Sequence, residues 1–166
     1  FAFPFYLSDY SLYLMSLIMV YVIVSVGLNI LVGSTGQISL GHAGFFAIGA
    51  YATVLLMAKL QIPFFLAIVA AAFIAAFFGF ILGLPALRLE GPYLTIATLA
   101  FGLAIMHVIG HTPLFGGRQG LMAPELDVGI RQWGLSFVLT TVTSKYYLVL
   151  GFAIAMVLFA INILKT

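Results

Sequence analysis

The chain has 166 residues, 64% of them hydrophobic and 6% charged, with a mean hydropathy of +1.27 and a formal net charge of +2. Water-soluble domains carry about 25% charged residues, so a single soluble core is excluded and lipid is the solvent that fits. The small charge without a basic run gives nucleic acid no footing, and the absence of cysteine rules out disulfides, zinc–cysteine sites and thiol chemistry.

A helix crosses the hydrocarbon layer with about 20 apolar residues. Asp, Glu, Lys and Arg are missing from 10–58, 60–87, 91–117 and 146–164. The first of these stretches is long enough for two crossings, and Gly33-Ser34-Thr35-Gly36-Gln37 in its middle reads as a turn. The expected fold is therefore an all-α, polytopic transmembrane helix bundle. Its five spans lie near 11–32, 38–58, 63–84, 92–112 and 146–164. Phe1 opens the chain without a charged leader, and Thr166 ends it directly after an apolar run, so it reads as a piece of a longer protein.

The second span is the least lipid-like. Gln37, Gly41 and Gly44 stand at i, i+4 and i+7, one small, polar helical face, and Ser39 and His42 lie within the same stretch. Gly-rich polar backbone at membrane depth is tolerated against protein or a watery cavity, and broken helices of this kind border transport sites. Two readings stay open: tight packing, or a translocation pathway. His42 carries the same choice, between a packed histidine bracing a helix start and a pathway residue.

In the third span Gly79 and Gly83 form a GxxxG pair that continues Ala67, Ala71, Ala72, Ala75 and Ala76, a thin surface suited to close helix packing. Pro63 and Pro92 open spans, where the missing N–H costs nothing. In the fourth span Thr95, Thr98 and Gly102 share one face, and His107 and His111 lie roughly opposite. Two histidines are too few for a zinc site, so neither metal nor cofactor is expected. The 114–145 segment is the one long hydrophilic loop and holds Arg118, Glu125, Asp127 and Arg131. Gly116-Gly117-Arg118-Gln119-Gly120 lacks the Gly-Lys-Ser/Thr ending of a phosphate loop. With no nucleophile–base or carboxylate pair either, the chain is not expected to be an enzyme.

Three segments together carry a family resemblance. Gly27–Gly33 (GLNILVG) running into Thr35–Tyr51 (TGQISLGHAGFFAIGAY), then Leu84–Phe101 (LPALRLEGPYLTIATLAF), then Gly116–Leu121 (GGRQGL) resemble branched-chain amino-acid ABC-transporter permeases. The likeness is to the second of their two related permease subunits. It implies a permease domain over 1–166 that is partial, lodged in the plasma (inner) membrane of a prokaryote. It also implies three kinds of partner besides the bilayer: a second permease subunit, two cytoplasmic ATPases that drive alternating access, and a periplasmic or lipid-anchored solute-binding protein. Nucleic acid is not among them.

By the resemblance the solute is a branched-chain or related neutral amino acid, an amide or urea. The pathway candidates are Gln37, Ser39, Gly41, His42, Gly44, Thr95 and Thr98. Arg118, Glu125, Asp127 and Arg131 are expected to meet the binding protein as rim charges. The ATPase-docking loop is expected beyond Thr166. Counting basic residues would put the 114–145 loop in the cytoplasm, with Lys59, Arg118, Arg131 and Lys145 against Arg88 and Lys165. The resemblance puts that loop outside, and the charge count is thin enough to yield to it.

Overall fold

The computed structural model describes residues 8–36, 39–86, 89, 91–124 and 142–165. Those residues form five long helices and two short 3-10 turns, with no strand among them. The helices are α1 (Asp9–Thr35), α2 (His42–Leu60), α3 (Phe64–Ala86), α4 (Pro92–His111) and α5 (Val142–Lys165). The 3-10 turns are Pro113–Phe115 and Gly117–Gln119. Each of the five helices is long and apolar enough to cross a membrane. All five spans expected from the apolar runs are therefore present as helices.

The helix ends follow local chemistry. Asp9 sits in the first turn of α1, where a carboxylate complements the helix dipole. Gly36 closes α1 in the left-handed conformation (φ 65°), and its N–H reaches the Val32 carbonyl at 2.8 Å. Glycine adopts that conformation without steric penalty. Pro92 opens α4, and Pro63 stands one residue before α3, where its carbonyl accepts the Ala67 N–H at 3.0 Å. The hydroxyls of Ser16 and Thr53 donate to the carbonyls of Leu12 and Gly49, each at 2.8 Å. Hydroxyls satisfied by their own helix can face lipid at little cost.

α2 begins at His42, within a few residues of the expected start of the second span, with Ser39, Leu40 and Gly41 ahead of it as non-helical backbone.

Two units make up the chain, 1–36 with 139–166, and 37–138. In the first, α1 packs on α5; Leu12 of α1 is 1% exposed, and Ala153 and Ala160, seven residues apart on α5, are buried. In the second, α2 is central and packs on both α3 and α4. The start of α2 meets the first half of α4, and the Tyr51 ring farther along stacks edge-on with Phe115 (centroids 5.8 Å apart). Hence α2 and α4 run in the same direction.

The small face of α3 is only partly used. Ala67 and Ala71 are buried, and a Cβ at Gly79 would touch the Phe45 ring of α2 at 3.7 Å. Around Gly83 nothing lies within 4 Å of such a Cβ. Of the GxxxG pair, Gly79 therefore faces α2, and Gly83 meets none of the described residues at that distance. Gly79→Leu should lower the melting temperature of the detergent-solubilised protein by several degrees. Gly83→Leu should leave the α2–α3 packing unchanged, and a loss at Gly83 equal to that at Gly79 would contradict the geometry.

Candidate functional site

The site is the junction between the start of α2 and the first half of α4. Gly41 is the residue before α2, in ordinary right-handed backbone (φ −84°, ψ 0°). A Cβ added there would lie 2.5 Å from the Thr98 carbonyl oxygen and 3.1 Å from the Thr98 Cβ. One turn later, a Cβ at Gly44 would lie 3.0 Å from the Gly102 Cα and 3.4 Å from the Phe101 ring. Gly41, Gly44, Thr98 and Gly102 are all buried. Backbone meets backbone here because three of the four residues have no side chain, the condition for close helix approach in lipid.

A polar bond is set into this contact. The Leu40 N–H donates to the Thr98 hydroxyl oxygen at 3.2 Å, and that hydroxyl donates to the Thr95 carbonyl at 3.0 Å. Thr98 is 6% exposed. A buried hydroxyl without partners is expensive, and here it is both donor and acceptor. Phe45 and Phe101 cover the junction, their ring centroids 4.9 Å apart.

Of the residues singled out on the sequence, Gly41, Gly44 and Thr98 come together, but they face one another. Their small size gives room to a helix. Ser39 and His42 flank the junction and are partly exposed, as is Thr95 one turn before Thr98 on α4. Gln37, Glu125, Asp127 and Arg131 lie outside the described residues, as does the side chain of Arg118, whose backbone belongs to the second 3-10 turn. Phe45, Phe101 and the Leu40 N–H were not legible beforehand. The signal available was that both spans carry small residues at helical spacing, which a pairing of the two faces would have joined.

Beyond the junction α2 and α4 leave an apolar cavity of about 430 Å³, lined among others by Tyr51, Leu55, Ile74, Ile105, Ile109 and Phe115. Its side-chain lining offers one polar atom, the Tyr51 hydroxyl, so it suits an aliphatic group and not a zwitterion. On the C-terminal turn of α4 the exposed rings of His107 and His111 stack at 4.0 Å, and His111 Nδ1 lies 2.9 Å from the His107 carbonyl oxygen. No third ligand-type residue joins them among the described residues.

Five helices long and apolar enough to cross a membrane define a multi-pass membrane protein. Residues 10–166 match the family described as the branched-chain amino acid transport system / permease component, and the chain belongs to that family. It is similar to the high-affinity branched-chain amino acid transport system permease protein LivM of Escherichia coli (strain K12), at 40% identity over 121 residues. The protein of that name from Salmonella typhimurium (strain LT2) matches at the same identity over the same length. The matched stretch covers 72% of this chain and 28% of each relative, well under two thirds of their length. No solved structure matches the chain.

Proposed function

We propose that this chain is part of the permease subunit of an ATP-binding-cassette importer for branched-chain or related neutral amino acids, in the inner membrane of a prokaryote. The observation that carries the proposal is the family match over residues 10–166. In this reading a second permease subunit, two ATPases and a solute-binding protein complete the importer, and the ATPases drive alternating access. The Gly-rich, polar sequence at the start of α2, which lipid would accommodate poorly, supports a path running beside it. Ser39, His42 and Thr95 then supply the polar rim with Gln37, and Gly41, Gly44 and Thr98 hold the wall behind it. Arg118, Glu125, Asp127 and Arg131 are the proposed docking charges for the binding protein.

The test is leucine uptake into proteoliposomes holding the full-length permease with its partner subunits. Uptake should require both ATP on the ATPase side and the binding protein, and isoleucine and valine should compete. Equal uptake without ATP would replace the importer with a passive channel, and no uptake of any neutral amino acid would overturn the assignment.

A further inference from the structure

Ser39, Leu40 and Gly41 lead into α2 without being part of it, and Gly41 is its N-cap. The N–H groups that a helix leaves without an intrahelical partner are those of its N-cap and first three residues, here 41–44. The Leu40 N–H lies one residue ahead of them, where no helical spacing assigns it an acceptor, and a backbone N–H left unpaired away from water is costly.

The acceptor it has is on another helix. We infer that Thr98 is a positioning residue that anchors the backbone entering α2: its hydroxyl oxygen takes the N–H of Leu40, one residue ahead of the N-cap Gly41, and ties that segment to α4. Three observations converge on this. The bond joins residues 58 apart in sequence at 3.2 Å. The hydroxyl hydrogen is already committed to the Thr95 carbonyl, which turns the oxygen lone pairs toward Leu40. Gly41 lets the Thr98 backbone approach so closely that no side chain fits between them, and this proximity is what brings the hydroxyl within reach.

This assignment goes beyond the transport proposal and does not depend on which solute, if any, is moved. It is tested by amide hydrogen exchange on the full-length protein in nanodiscs, read at Leu40. Thr98→Val keeps the shape and removes the acceptor, and should speed Leu40 exchange by about tenfold, the scale of an interhelical hydrogen bond in a membrane protein. Amides in the middle of α2, such as that of Ala52, should be unchanged. Thr98→Ser restores the hydroxyl without the methyl group and should return Leu40 to the native rate. If the valine variant fails to assemble, Thr98→Ala, which only removes atoms, reads the same amide with the same expected change. Native exchange at Leu40 in the valine or alanine variant, or equal acceleration in serine and valine, would overturn the anchoring role. The second of those outcomes would leave Thr98 as a packing residue.

Discussion

Replacing Gly41 by alanine should be the most damaging single-carbon change in the α2–α4 pair, with Gly44→Ala milder and Gly102→Ala tolerated. The grading comes from what each new Cβ would meet. At Gly41 it is the Thr98 carbonyl oxygen at 2.5 Å, at Gly44 the Gly102 Cα at 3.0 Å, and at Gly102 the Gly41 Cα at an ordinary 3.6 Å. The first two obstacles are backbone and cannot swing aside as a side chain can, so the helices themselves must separate. Overpacking of this kind costs about 1–3 kcal/mol.

Within a helix, alanine also returns up to about 1 kcal/mol over glycine. That gain applies to Gly44 and Gly102 inside α2 and α4, and not to Gly41 outside them. The balance should therefore be clearly unfavourable at 41, near neutral or mildly unfavourable at 44 and favourable at 102. Thermal stability of the purified full-length protein, measured beside leucine uptake, checks the order. If the glycines instead gave width to a solute path, uptake would fall at 41 and 44 with stability intact.

Leu12→Ala should be the most costly truncation in the unit formed by α1 and α5. Leu12 is 1% exposed, the most completely buried large side chain among the described residues. In water such a truncation costs about 2–5 kcal/mol. In a bilayer the part due to transfer from water is reduced, because lipid is as apolar as the protein interior, and lost packing against α5 dominates. The lower end, about 2 kcal/mol, is the expected size. Ile18→Ala on the same helix, 61% exposed, is the control and should be close to silent. Equal melting temperatures for the two variants would mean that Leu12 is not packed as the structure has it.

Much of the fold was legible in the chain itself. Runs without charge over 10–58, 60–87, 91–117 and 146–164 demand helices, since lipid provides no partners for backbone groups and a helix satisfies its own. Gly36 and Pro92 mark ends through backbone chemistry that needs no neighbour. The family, too, was legible from three short segments. The site was legible only as a set of residue types. Gly41, Gly44, Thr95 and Thr98 stood out because lipid has no use for them, yet whether small residues leave room for a solute or for a helix depends on what lies opposite, and composition is silent on that.

Tertiary structure decided the rest. It set Gly79 against Phe45 and left Gly83 open, although the two are equivalent in sequence. It tied the backbone entering α2 to α4 by giving the Leu40 N–H an acceptor there. A backbone N–H outside a helix has no acceptor fixed by its own spacing and takes the one that the fold brings near. Here one donor just ahead of α2 is satisfied by a hydroxyl 58 residues away, and no periodicity within the second span could have announced it.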